Sequence, residues 1–339
     1  MANGQIDDFS FNLKNLDKGL VLPPLTLNGA SKKEIKVPVR SWPKGRRVAL
    51  PTESIRIQRI ADDPVNKQWS FQSEHFRFVS NAKLRDHAVR EFAALFELTH
   101  LYARQLPFEL HRFEKGGNQH LRIQLIKDYK DFIREGGLPE SGGTYLSEPD
   151  IILVPFDGLG LKEGLNGYSI DSRRTNQTLT HETVHMMMRG PLLKDGWFVE
   201  GSAEYIATIP MNRNILLAEQ HFNSVKKYVT STGFKKRGGH NLGTTIKLCS
   251  LRKLMESDYD EFRKIQNSYP YSLLLFYYLA HEDREGEARG LKRYAAALNA
   301  GRSTKAARKE ILAGRDYRTL GKELTDYWKE NGITLQFTN

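Results

Sequence analysis

The chain has almost no cysteine: Cys249 stands alone among 339 residues. No internal disulfide can form, so packing and hydrogen bonds must hold the fold. That thiol, in "TTIKLCSL", reads as a small buried hydrophobe. Long apolar runs are missing too. Nothing approaches the roughly 18 consecutive apolar residues of a membrane span. The opening "MANGQIDDFSFNLKNLDKG" lacks a basic stretch followed by an apolar one, and does not read as a secretory signal. There is no long repeat and no low-complexity tract. The spacing of aromatics and glycines that marks a nucleic-acid module is absent as well. The net charge of +11 is spread along the chain, with small clusters at Lys44–Arg47 and Lys235–Arg237. It reads as a solvated surface, and nucleic acid is not the expected partner.

What is present suffices for a sizeable core, since 39% of the residues are hydrophobic. Residues 1–66 read as an N-terminal extension, rich in proline and turn residues. Short alternating runs (Ile35, Val37, Val39; Ile55, Ile57) predict edge strands there. "SEHFRFVS" and "HLRIQLIKD" alternate as strands, and "SGGTYLSEPDIILVPF" reads as a glycine turn, a short strand and a buried strand. Between them Val89, Phe92, Phe96, Thr99 and Tyr102 recur at helical spacing, up to a stop at Pro107. Five further stretches carry helical spacing: "ILLAEQHFNSVKKYV", "YPYSLLLFYYLAHE", "LKRYAAALNAG", "TKAARKEILAG" and "TLGKELTDYWKEN". Strands first and helices afterwards predict an α+β fold, divided as 1–66, 67–208 and 209–339.

The chemistry concentrates in "LTHETVHMMMRGPLLKDGWFVEGSAEYIA", residues 179–207. On a helix, positions four apart share a face. His181 and His185 can therefore offer both imidazoles to one metal ion, and Glu182, beside the first of them, can act as a base toward a nearby water. Asp171, Ser172, Thr175 and Asn176 offer N-caps, and Gly190-Pro191 ends the segment. A catalytic zinc site commonly takes three protein ligands. The second helical pattern, with Asp195 as a candidate cap, puts Glu200 and Glu204 on one face beside Ala203 and Ala207. One glutamate can bind the metal while the other hydrogen-bonds a ligand histidine. An H-E-x-x-H pattern arises by chance on the order of once per hundred chains of this size. Its apolar flanks point to a buried helix, where histidines and a glutamate need partners. The other histidines carry less: His75, His87 and His100 read as surface residues, and His240 lies in a glycine-rich basic loop.

The residues "HETVH" and "WFVEGSAEY" resemble the gluzincins, the thermolysin-like zinc metallopeptidases. Fourteen residues separate His185 from Glu200, a gap similar to that of a peptidase-MA-like bacterial branch and shorter than in the best-known members. The resemblance extends more weakly over residues 69–332. It implies a zincin-like small sheet with an active-site helix, followed by a mostly helical C-terminal part. It also implies zinc on His181, His185 and Glu200, with Glu204 hydrogen-bonded to a ligand histidine and Glu182 as general base. By the same resemblance an edge strand over Gly143, Thr144 and Tyr145 would pair with a peptide or protein substrate. A phenol near the reacting oxygen would come from Tyr269 or Tyr271. Export is implied by that branch alone, and a cytoplasmic location stays open. No G-x-M-x-N exopeptidase pattern is present, and endo- and exopeptidase activity both remain open. So does a catalytically inactive zinc-containing module that acts on an acidic envelope or wall polymer through the basic surface.

Overall fold

The computed structural model describes residues 47–50, 54–106, 110, 120–164, 167–170, 177–188, 190–212, 214–231 and 239–338. The strands expected at Ile35, Val37 and Val39 lie outside these residues. So do the candidate caps Asp171, Ser172, Thr175 and Asn176 and the basic clusters 44–46 and 235–237.

After a short strand β1 (Arg47–Ala49), six strands build the main sheet: β2 (Gln58–Asp63), β3 (Gln68–Gln72), β4 (Phe76–Ser80), β5 (Leu121–Ile126), β6 (Thr144–Leu146) and β7 (Ile151–Pro155). Their order is β2-β3-β4-β5-β7-β6. Strands β4, β5 and β7 run parallel, and the outer pairs are antiparallel, which leaves β6 at one edge. Helix α1 (Asp86–Ala103) connects β4 toward β5, and α2 (Tyr129–Arg134) follows β5. The spacing of Phe92 and Phe96 lays both rings on the sheet, with centroids 5.1 and 5.6 Å from that of Phe78. A short α3 (Phe156–Leu159) and the hairpin β8 (Leu161–Gly164) and β9 (Gly167–Ile170) lead to α4 (Gln177–Met187) and α5 (Gly196–Ala207).

The remainder is mostly helical. Strands β10 (Met211–Asn212) and β11 (Ile215–Leu217) precede α6 (His221–Thr230), and β12 (Thr245–Leu248) precedes α7 (Leu251–Glu256), α8 (Tyr259–Lys264) and α9 (Ser268–His281). Helices α10 (Arg289–Asn299), α11 (Thr304–Leu312) and α12 (Tyr317–Glu330) follow, and β13 (Thr334–Phe337) returns to pair with β12 in parallel. The protein is thus α+β, a small sheet joined to a largely helical C-terminal part. No helix among the described residues is long and apolar enough to cross a membrane.

Two expectations change. Ile215–Leu217, read from spacing as the start of a helix, forms the central strand of a three-stranded sheet, between β10 and the far earlier β1. A three-residue apolar run has no period of its own, and here its two pairing partners decide. Ile55 and Ile57 precede β2 and are not part of a strand. The division expected at 66/67 falls in the turn between β2 and β3, which pair along their length, and one hydrophobic cluster runs from Val48 to Leu335.

Helix α9 is buried on nearly every side and packs along α5. Gly201 makes this approach possible: a Cβ there would lie 2.9 Å from the Ser272 carbonyl oxygen and 3.2 Å from the Phe276 Cβ. Gly201→Ala should therefore destabilise the fold by about 1–3 kcal/mol despite alanine's better helix propensity. Urea unfolding reads this directly, and an unchanged or raised midpoint would mean that the α5–α9 contact yields.

Behind α5, His221 is buried with Nε2 3.0 Å from Thr208 Oγ1 and its ring edge-on to Tyr205. Burial lowers its pKa from the ordinary 6.5 to about 3. Between these values the unfolded chain binds a proton that the folded chain refuses, so stability falls as pH drops from about 6.5 toward 3. The slope from this one group is at most about 1.4 kcal/mol per pH unit. His221→Gln should flatten urea midpoints measured between pH 7 and pH 4. A wild-type slope in the variant would assign the acid sensitivity elsewhere.

Candidate metal centre

Helix α4 turns Leu179, Val184, Met186 and Met187 into the core and keeps His181, Glu182 and His185 half-buried. Helix α5 is buried throughout, including Glu200 at 1% and Glu204 at 6% exposure. Carboxylates that far from water need donors or cations, and α4 supplies them. His181 Nε2 lies 3.1 Å from Glu200 Oε2, His185 Nε2 lies 3.3 Å from the same oxygen, and the two Nε2 atoms are 2.8 Å apart. A tetrahedral zinc with bonds near 2.0 Å has ligand–ligand edges of about 3.3 Å. The triangle of two imidazole nitrogens and one carboxylate oxygen is close to one face of such a tetrahedron, so these residues fit a divalent ion. His181, His185 and Glu200 also form one of the groups able to offer converging donor atoms within 4.8 Å.

Around the triangle two of the three candidate ligands, His181 and Glu200, have support. Glu204 Oε1 lies 3.3 Å from His181 Nδ1, the nitrogen not turned toward the triangle. That contact fixes the imidazole's orientation and tautomer, as a carboxylate behind a ligand histidine does. Tyr259 donates a 2.5 Å hydrogen bond to Glu200 Oε1, the oxygen opposite the one facing the histidines. Burial works against an imidazolium at His181, but its hydrogen bonds to the Glu200 and Glu204 carboxylates outweigh that and raise the pKa well above 6.5. Burial likewise disfavours the charged forms of Glu200 and Glu204. His185 and His181 hold Glu200 well below the carboxylate range, and His181 and His240 do the same for Glu204. The pocket therefore selects a positive charge, and a bound dication would displace a proton.

Glu182 points to the sheet. Its Oε2 accepts the Tyr145 backbone N–H at 2.8 Å, which ties the base candidate to the edge strand β6. Gly143 lies against α4: a Cβ would meet Leu179 Cδ2 at 2.9 Å. Thr144 accepts the Leu138 N–H on its hydroxyl at 2.9 Å. Gly143, Thr144 and Tyr145 thus border the site, with the outward amide of Tyr145 already engaged by Glu182.

The two candidate phenols separate. Residues two apart on a helix point about 200° away from each other, so one alone can face the histidines. The Tyr269 ring lies over that of His181 with centroids 6.4 Å apart. Its pKa is pushed up to about 12, by burial first and then by the Glu200 charge. Tyr271 is fully buried with its ring 6.0 Å from Phe337, and its hydroxyl has no hydrogen-bond partner among the described residues. Tyr271 is a core residue and is not part of the site.

Asp195 stands at the N-cap position of α5, but its side chain does not cap. It instead binds Arg308 of α11 through both oxygens, at 2.6 and 3.0 Å, and accepts from Tyr294 of α10 at 2.7 Å. Tyr259 and His240 were not visible as site residues in the sequence. His240 Nε2 lies 3.5 Å from Glu204 Oε2, and its ring is edge-on to Tyr228. The nearest local signal was a tyrosine after an Asp cap at 258 and a histidine among glycines. Neither spacing ties them to α5. Cys249 is half-buried, and burial raises its thiol pKa. His87 lies on the surface as expected, whereas His75 is largely covered and His100 is buried.

The chain matches no protein-family model, and no curated protein matches it.

The geometry ranks the two glutamates. Glu200→Ala should abolish tight zinc binding at this centre, whereas Glu204→Ala should weaken binding there about 10–100-fold. Competition titration with a chromogenic chelator measures both, and the reverse ranking would exchange the two roles.

Proposed function

We propose that the protein is a zinc-dependent peptidase in which His181, His185 and Glu200 hold the metal and Glu182 handles the proton. The observation that carries this reading is the meeting of three donor atoms from two buried helices, one residue away from a carboxylate fastened to an open sheet edge. Zinc, when bound, supplies a Lewis acid that polarises a peptide carbonyl and makes water acidic enough to react near neutral pH.

The remaining tasks fall to the chain itself. Glu182 Oε2 is anchored on the Tyr145 amide, which leaves Oε1 for the attacking water. From there Glu182 takes a proton and passes it to the departing amine. Among the described residues strand β6 has one neighbour, β7, so an extended peptide can add on its other side and be read through its main chain. A substrate carbonyl directed at Tyr145 N–H would compete with Glu182 for that donor, so substrate entry and the freedom of the base are linked. Tyr269 keeps its proton at neutral pH and can donate to negative charge developing on the carbonyl oxygen. The resemblance to gluzincins supports the same assignment of roles.

Glu182→Gln keeps the shape and removes the base. Turnover of a peptide library should fall by about 10²–10⁴-fold, while elemental analysis finds the zinc content of the wild type. Near-normal cleavage by that variant would remove Glu182 from the mechanism.

A further inference from the structure

A second set of metal-type donors lies on the other side of α1. Glu97 and His100 are three residues apart on that helix and share a face. His75 comes from the turn between β3 and β4. One donor atom from each lies within 4.8 Å of the others. Glu97 is 4% exposed and His100 1%. The His75 and His100 rings lie with centroids 4.0 Å apart and planes 34° apart.

The carboxylate is held in one orientation. Glu97 Oε1 accepts from Ser73 Oγ at 2.6 Å and from the His75 backbone N–H at 2.9 Å. Oε2 is turned to His75 Nδ1, 2.7 Å away. We propose that His75, Glu97 and His100 form a second divalent-metal site, separate from the one on α4 and α5, with a structural role. Two nitrogens and one carboxylate oxygen suit zinc or another borderline first-row cation. The bonds to Oε1 set the ligating oxygen in advance, as the hydrogen bonds around a metal-binding carboxylate do.

One dication placed among the three donor atoms would satisfy both imidazoles and the carboxylate. Glu97, Ser73 and the His75 amide already staple the β3–β4 turn to α1, and His100 adds a second buried imidazole whose ring lies against the first. An ion here would join that turn to α1, which packs on α4. His75 also accepts the Leu121 N–H on its carbonyl at 2.8 Å, so β5 is bound into the same junction. The partial exposure of His75, 20% for its side chain, gives an ion a way in.

The test uses Zn²⁺ alone on the full chain: elemental analysis after dialysis against metal-free buffer, and melting temperature with and without added zinc. Wild type should retain two equivalents. The His181→Ala/His185→Ala variant should retain one and should still melt higher when zinc is added. Adding His75→Gln should weaken that remaining site by at least about 10-fold and remove the melting shift. A folded His181→Ala/His185→Ala variant that retains no zinc and shows no shift would overturn the proposal. If that variant does not fold, wild type against His75→Gln decides: loss of one equivalent supports the second site, and no loss overturns it. A single equivalent lost with His75→Gln but kept without His181 and His185 would support this site and overturn the peptidase centre. The opposite pattern would overturn this site and leave the other standing.

Discussion

Two buried carboxylates on one helix set the terms for this protein. Glu200 and Glu204 sit on α5, which has no face open to water, and an unpartnered charge there would be untenable. Their needs draw in the rest: the imidazoles of α4, the Tyr259 hydroxyl from α8, and His240 from the segment before β12. The close α5–α9 contact at Gly201 then clamps the carboxylate helix from behind. A site assembled this way is selective for positive charge before any ligand arrives, because the same atoms that would hold a metal are the ones that neutralise the glutamates.

Much of this was legible in the chain because it is local. Helical spacing located α1, α9, α10, α11 and α12, and alternation located β4 and β5, since each pattern repeats within one element. The HETVH pair and the Glu200–Glu204 pair were legible for the same reason: residues four apart on a helix share a face. What was hidden is what depends on distant partners. Strand β11 is flanked by β10 and by β1, and the β1 side of that pairing is not visible locally. Asp195 carries a cap residue's identity and spends it on an arginine 113 positions away. Tyr269 and Tyr271 looked equivalent until the helix phase separated them. His100 looked like a surface residue on an amphipathic helix until the β3–β4 turn covered it.

The edge strand gives the site an internal linkage. Glu182 reaches back to Tyr145 N–H, so the candidate base and strand β6 are one hydrogen-bonded unit and not two neighbours. Gly143, pressed on Leu179, fixes the height at which that strand crosses α4. A shift of β6 by even one residue would exchange its faces, and would part Glu182 from its anchor.

The Asp195–Arg308 pair has a consequence for how the protein is made. Asp195 is 1% exposed at the entrance to the carboxylate helix, and its counter-charge lies 113 residues further along, on α11. During synthesis α4 and α5 emerge long before Arg308 does. Until it arrives, the start of α5 cannot be buried without leaving an anion uncompensated. The candidate metal centre is therefore closed only after Arg308 has been made, and a polypeptide interrupted before it would carry every candidate ligand without the ability to close the site.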